Sequence, residues 1–231
     1  LEDVSVKYSA ATGIAAVGHN SELTGAIAGL VLRRVTATDN GALGAALGDA
    51  SPTATIAQGH ENDMVIEFSR FERNNREKFN YETCNAAGSC VLAGVKIARV
   101  DGLLLRHSSF KQNNAAGFWA DLYCQNAVIV GNSFRSNVRS GVFYEVSRAA
   151  TISSNVFAGN NTSGASSGAG IKITGAGTNS PDAPGTGGVL LDRNTFAANV
   201  NAQVILGYDV RPSSEGNIGW MAYFLERAEQ C

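Results

Sequence analysis

The chain has 231 residues, 44% of them hydrophobic and 16% charged, with a formal net charge of −2. An average soluble domain carries about 25% charged residues, so this composition argues against a disordered chain, and the near-neutral balance gives no general attraction to nucleic-acid phosphates or anionic membranes. No stretch approaches the roughly 20 apolar residues of a membrane span, and 26 glycines against only 4 prolines point to many tight turns made without proline.

Leu1 opens into mixed sequence with no signal-peptide pattern and no initiator Met, which suggests a processed or truncated chain without a complete N-terminal cap. From there a repeat organises the chain. It begins in turn at Leu30-x-Leu32, Met64-x-Ile66, Leu103-x-Leu105, Ala127-x-Ile129, Ala150-x-Ile152 and Val189-x-Leu191. Five residues after each second apolar position stands Ala37, Phe71, Phe110, Phe134, Phe157 or Phe196, and three residues further on Asn40, Asn74, Asn113, Asn137, Asn160 or Asn199. A second column, Asn132, Asn155 and Asn194, precedes the Phe by two residues.

The shortest spacings, 24 residues from Phe110 to Phe134 and 23 from Phe134 to Phe157, define the unit. A unit of that length built from short period-two runs holds two or three strands rather than one helical stripe. Coils stacked about 4.8 Å apart would line up Phe as an internal aromatic column and Asn as a ladder bonding turn to turn. The expected fold is an all-β solenoid of about 23-residue coils, one domain over residues 1–231. Insertions at 41–60, 75–92 and 161–185 read as loops on one edge that wall a groove. Residues 217–231 read as a C-terminal cap, in which Ile218, Trp220, Met221, Phe224 and Leu225 fit a helical face and alternate residues fit a strand.

Cys84 and Cys90 flank a five-residue loop that would close as a disulfide in an oxidising compartment or else hold two free thiols. Cys124 and Cys231 have no local partner. Asn160-Asn161-Thr162-Ser163 contains overlapping glycosylation sequons.

Chemistry is expected after the Asn turn, where the copies align on Gly94, Gly117, Gly141 and Gly170. Strand alternation turns the first and third following residues inward and the second and fourth outward. The outward strip then holds Lys96, Trp119, Asp121, Phe143, Glu145 and Lys172. Asp121 and Glu145 fall in one column of neighbouring coils, close enough to work as a carboxylate pair or to recruit a cation such as Ca²⁺. Lys96 and Lys172 would neutralise a uronate or act as bases, and Trp119 and Phe143 would offer flat faces to a sugar ring. Tyr123, Arg99 and Arg148 follow the same strands and would support substrate binding. His107, near a turn, reads as a hydrogen-bonded surface residue. The same acids and lysines would equally serve a merely solvated sheet.

The segments GVKIARVDGLLLRHSSFKQNN, GFWADLYCQNAVIVGNSF and GVFYEVSRAATISSNVF resemble bacterial right-handed parallel β-helix repeat proteins of the pectate-lyase-like superfamily, over roughly residues 30–208. The resemblance implies a right-handed parallel β-helix, an extracellular, cell-surface or periplasmic location and a polysaccharide partner. The superfamily includes lyases, glycoside hydrolases and uronan epimerases, and also adhesins and structural proteins. The polygalacturonase-like Asn-Thr-Asp, Asp-Asp and Arg-Ile-Lys set is missing, as is the epimerase-like Asp-Pro-His-Asp, so no catalytic residue carries over. The expectation is a protein that cleaves or modifies an acidic polysaccharide, with a noncatalytic adhesive or surface-structural solenoid as the alternative.

Overall fold

The computed structural model describes residues 1–18, 29–49, 61–79, 92–122, 124–175, 179–180, 183–184, 188–207 and 224–227. Among them the chain winds through three parallel sheets of seven strands each. One full coil shows the path. Leu104–Arg106 lies in sheet 1, Ser109–Lys111 in sheet 2 and Ala116–Asp121 in sheet 3, and Ala127–Val130 returns to sheet 1. Register is kept from coil to coil: Leu105 faces Ile66 on one side and Ile129 on the other, and Phe110 faces Phe71 and Phe134. The architecture is an all-β parallel β-helix, and no helix among the described residues is long and apolar enough to cross a membrane.

Because strand side chains alternate, one residue in two from each sheet enters a single core. Leu105, Ile129 and Ile152 come from sheet 1, Phe110, Phe134 and Phe157 from sheet 2, and Phe118, Val142, Tyr144 and Ile171 from sheet 3, all without solvent exposure. Phe71, Phe110, Phe134, Phe157 and Phe196 stack in sequence with centroids 4.9 to 5.3 Å apart. Each buried Phe stabilises the fold by about 2–3 kcal/mol through its area alone, and offset stacking adds about 0.5–1.5 kcal/mol per pair.

The bend from sheet 2 to sheet 3 is held by amides. Asn40, Asn74, Asn113, Asn137 and Asn160 each donate Nδ2 to the Oδ1 of the Asn one coil on, at 2.9 to 3.1 Å. The same Oδ1 atoms accept the backbone N–H of the preceding Asn. Asn132, Asn155 and Asn194 form a shorter series at the corner between sheets 1 and 2, begun by Ser69 and Ser108. The buried turn is thereby saturated with hydrogen bonds, as buried polar groups require.

Left-handed backbone makes the corners, but glycine and asparagine do not dominate there. The residue before each Asn turn is Asp39, Arg73, Gln112, Ser136, Gly159 or Ala198, and the corner after sheet 3 takes Arg99, Leu122 and Val146, all at positive φ. Inter-coil backbone bonds hold Asp39, Arg73, Gln112, Ser136, Arg99 and Val146 against a cost of about 1–2 kcal/mol for a residue with a Cβ. The Gly94, Gly117, Gly141 column has a different cause. A Cβ at Gly117 would lie 2.6 Å from the Gly141 carbonyl oxygen and 2.9 Å from Asn137 Nδ2, so close approach, not φ, requires glycine.

Several expectations are revised. Residues 41–60 are not one insertion, because Ala45–Asp49 is that coil's own sheet 3 strand. An earlier coil, with Ser5–Lys7 in sheet 2 and Ile14–Gly18 in sheet 3, precedes the first repeat recognised in the sequence. Phe224–Arg227 is a strand paired in parallel with Val189–Asp192, so these residues adopt the strand pattern and not the helical one. Neither sequon asparagine is available to a glycan. Asn160 and Asn161 are fully buried, and their Nδ2 atoms are taken by Phe134 O and Asn199 and by Ala165 O, Gly168 O and Val200 O. Cys84, Cys90, Cys231 and Tyr123 lie outside the described residues. Cys124 is buried with Sγ 3.2 Å from Asp121 O, and burial pushes its thiol pKa up to about 12, which makes it a core residue rather than a nucleophile.

Candidate functional site

The site is built on the outward face of sheet 3. Its register sets Trp119 between Lys96 and Phe143, and Phe143 against Lys172, so one column runs through four successive coils. Lys96 Nζ sits 3.5 Å from the Trp119 ring centroid. Trp119 and Phe143 stack at 5.3 Å with planes 22° apart, and Lys172 Nζ lies 4.4 Å from the Phe143 centroid. Cation–π and stacking contacts thus close the column end to end. This corrects one expectation: the ring faces are occupied by each other and by the lysines, so the strip presents ring edges, not open platforms.

The two acids end adjacent strands, Ala116–Asp121 and Val142–Glu145. Trp119 pairs with Phe143 and Ala120 with Tyr144, which brings Asp121 and Glu145 together one register step later. Although they belong to the outward set, Asp121 is only 5% exposed and Glu145 8%. Two like charges one strand spacing apart and shielded from water would repel, and each is met by a group from the coil before. Lys96 Nζ lies 2.7 Å from Asp121 Oδ2, with both side chains largely buried, and Leu122 N donates to Asp121 Oδ1 at 2.8 Å. Trp119 Nε1 donates to Glu145 Oε2 at 2.8 Å. Lys96 and Trp119 therefore each touch both the ring column and a carboxylate.

Other candidates lie beside it. Arg99 is buried at the left-handed corner, its backbone N–H donating to Leu122 O at 3.1 Å. Arg148 Nε donates to Gln125 Oε1 at 2.7 Å, and Gln125 Nε2 to Asp101 Oδ2 at 2.6 Å, so Arg148 serves a polar network at the corner after sheet 3. His107 stacks on Phe68 at 5.3 Å on a different corner. That Asp101 network escaped the sequence reading because its members come from three corners with no shared motif. A small apolar cluster also went unnoticed: Leu43, Ala93 and Ala116 are buried outside the main core, with Ala46 and Trp119 packed against them.

Ca²⁺ takes six to eight oxygen ligands. Asp121 already has an ammonium partner and Glu145 an indole donor, and the described residues contain no group of three or more His, Cys, Asp or Glu side chains able to hold a metal. This donor set does not fit the ion.

No curated protein matches the chain. Among solved structures, the A-module of the Azotobacter vinelandii mannuronan C-5 epimerase AlgE6 aligns with a TM-score of 0.56 at 14% identity, covering 100% of this chain and 58% of that one. The AlgE4 A-module from the same organism gives 0.47 at 16% identity, covering 88% and 54%. A periplasmic alginate epimerase, AlgG, gives 0.49 at 14% identity, covering 78% and 45%. The chain thus spans about half the length of these structures, and at such identities the likeness is one of fold. The family model for the right-handed β-helix region matches residues 1–196, the stretch that contains nearly all of the three stacked sheets, and the chain belongs to that family.

Proposed function

We propose that this β-helix acts on an acidic polysaccharide, cleaving or modifying it at the outward face of sheet 3. The observation that carries the reading is the pairing of two shielded carboxylates on adjacent coils with a lysine and an indole, Lys96 on Asp121 and Trp119 on Glu145. What sets this pair apart from the ion-paired Glu67 and Glu72 of the other sheets is that Asp121 and Glu145 end adjacent strands, at 5% and 8% exposure, beside an aromatic column.

Uronate chemistry suits such a set. A base removes the proton from the carbon bearing the uronate carboxyl, and the electron pair moves into that carboxyl as an enolate. Collapse with expulsion of the glycosidic oxygen gives lyase chemistry, whereas reprotonation from the other face inverts the centre. In this scheme Asp121 and Glu145 handle the proton, while Lys96 and Lys172 offset the charge of the carboxyl and enolate. A hydrolase would instead divide acid and nucleophile or base roles between the two carboxylates. The resemblance in fold to the AlgE6 mannuronan C-5 epimerase A-module supports an acidic glycan as substrate. A noncatalytic adhesive or surface-structural solenoid is the second reading, favoured by the closed Lys96–Trp119–Phe143–Lys172 column, whose ring faces are already occupied.

The test is incubation with uronic-acid and neutral polysaccharides, scoring unsaturated ends by ultraviolet absorbance, new reducing ends, and inversion of the sugar centre by NMR. Turnover of a uronan that Asp121→Asn or Glu145→Gln abolishes supports the enzyme reading. Binding without turnover that survives both substitutions favours the second.

A further inference from the structure

We propose a second saccharide subsite, for a carboxylated sugar, in the concavity at the N-terminal ends of the sheet 3 strands. It rests on the polysaccharide reading above and extends it to a place on the molecule remote from the acids.

The concavity has a volume of about 310 Å³, the lower end of the range for small-ligand sites and enough for a single sugar residue. Its walls are apolar, from Phe79, Leu92, Ala115 and Val138, and its two cations are Lys78 and Arg139. Neither cation takes part in any ion pair among the described residues, unlike Arg33, Arg70, Arg73 and Arg106. Phe79 is 43% exposed, and among the described residues no ring stacks on it. Among the described residues it therefore has the open face that Trp119 and Phe143 lack.

The wall is built, not incidental. Asn75, fully buried, donates Nδ2 to Phe79 O at 2.9 Å and accepts Phe79 N–H at 3.1 Å on Oδ1. The same Nδ2 bonds Asn114 O at 2.8 Å, and Asn114 Nδ2 returns a bond to Asn75 O at 3.2 Å. The turn carrying Lys78 and Phe79 is thus fixed to the next coil. An apolar ring face beside two cationic donors is the chemistry that holds a uronate, its ring on Phe79 and its carboxylate between ammonium and guanidinium.

Continuity ties this concavity to the strip. Leu92 and Ala115 lead directly into Ala93 and Ala116, whose apolar cluster with Leu43 packs against Trp119. From Ala116 to Asp121 the strand rises roughly 17 Å, so a ligand that reaches both ends is an oligosaccharide and not a single sugar.

The experiment is calorimetric titration with a uronate hexamer and its carboxyl-reduced counterpart. It compares the wild-type chain, the double variant Lys78→Gln with Arg139→Gln, and Asp121→Asn. Circular dichroism melts confirm folding, and Phe79→Ala serves as an independent second probe. Loss of about tenfold or more in affinity for the hexamer in the double variant, with little change toward the reduced sugar, and with binding kept in Asp121→Asn, supports the subsite. Wild-type affinity in both the double variant and Phe79→Ala overturns it, and leaves the polysaccharide reading intact if Asp121→Asn still abolishes turnover. A wild-type chain that binds neither hexamer overturns both.

Discussion

Trp119 donates its indole hydrogen to Glu145 of the next coil, Nε1 to Oε2 at 2.8 Å, while its ring is held between Phe143 and the Lys96 ammonium. One side chain thereby sets the spacing of the outward column and supplies a donor to a shielded carboxylate. These two duties separate by substitution.

Trp119→Phe keeps a ring in the column but removes the N–H. A hydrogen bond to a charged group contributes about 1.5–3 kcal/mol, so chemical unfolding should show a loss near the lower end of that range, because Phe still stacks. Trp119→Ala should cost more, since stacking and apolar burial are lost as well. Equal losses for the two variants would show that the indole bond contributes nothing.

Asn137→Ala removes a fully buried amide whose Nδ2 serves Phe110 O and Asn160 Oδ1 and whose Oδ1 accepts from Asn113. The neighbours on both coils are left with unsatisfied groups, at about 1–3 kcal/mol each, so a total loss of about 3–5 kcal/mol is expected. The loss should be smaller at Asn40, whose backbone and amide donate onward to Asn74 and whose Oδ1 accepts, among the described residues, only Ser9 N–H. Denaturant midpoints at unchanged m-value would check the ordering.

Phe134 stacks at 4.9 Å on both Phe110 and Phe157 and has no solvent exposure. Phe134→Ala opens a cavity in the middle of the column and should cost about 3–5 kcal/mol. Phe134→Leu preserves more volume and should cost clearly less, as thermal or urea unfolding would show.

Columns were legible in the sequence wherever one residue type recurs in phase. Phe71, Phe110, Phe134, Phe157 and Phe196 repeat because a stacked core accepts few alternatives at that volume. The first coil was missed because Val6, paired with Ala37, carries neither the Phe nor the Asn signature. The strip was legible through alternation after Gly94, Gly117 and Gly141, yet its chemistry was not. Alternation fixes which side of the strand a residue takes, but rotamers decide whether Trp119 shows a face or an edge and whether Asp121 meets Glu145 or Lys96. Those choices depend on a neighbour 23 or more residues away, as do the left-handed corners, where inter-coil bonds override the intrinsic preference of Arg73 or Val146.

Acid should weaken the fold through carboxylates on the other sheets. The Arg33 hydrogen bond, joined by Arg106, holds the Glu67 carboxyl below the usual glutamate range. Burial works against the Glu72 carboxylate, but bonds from Arg70 and Ser109 outweigh it and leave its pKa lowered. A carboxylate whose pKa is depressed by folding contributes stability above its unfolded-state value, and that contribution disappears as pH falls through the folded value. The melting temperature should therefore be level down to about pH 5 and fall below it. Glu67→Gln should melt lower than wild type at neutral pH and converge with it in acid. A constant offset across the range would show that the charge of Glu67 has no part in stability.

Lys96 and Asp121 form a largely buried pair at 2.7 Å, and the consequence of breaking such a pair depends on what is left behind. Lys96→Met keeps an apolar stem over Trp119 but leaves the Asp121 carboxylate shielded from water with, among the described residues, only the Leu122 N–H bonding it. Removing one partner of a buried pair costs about 3–5 kcal/mol. Adding Asp121→Asn removes the charge that was stranded, so the double variant should recover much of that loss, although Asp121→Asn alone also destabilises by stranding the lysine. A double-mutant cycle by denaturant unfolding would give a coupling of about 1–3 kcal/mol. A coupling near zero would mean that the ammonium and carboxylate are each sustained by solvent, and the acid of the strip would then stand independent of the lysine assigned to it.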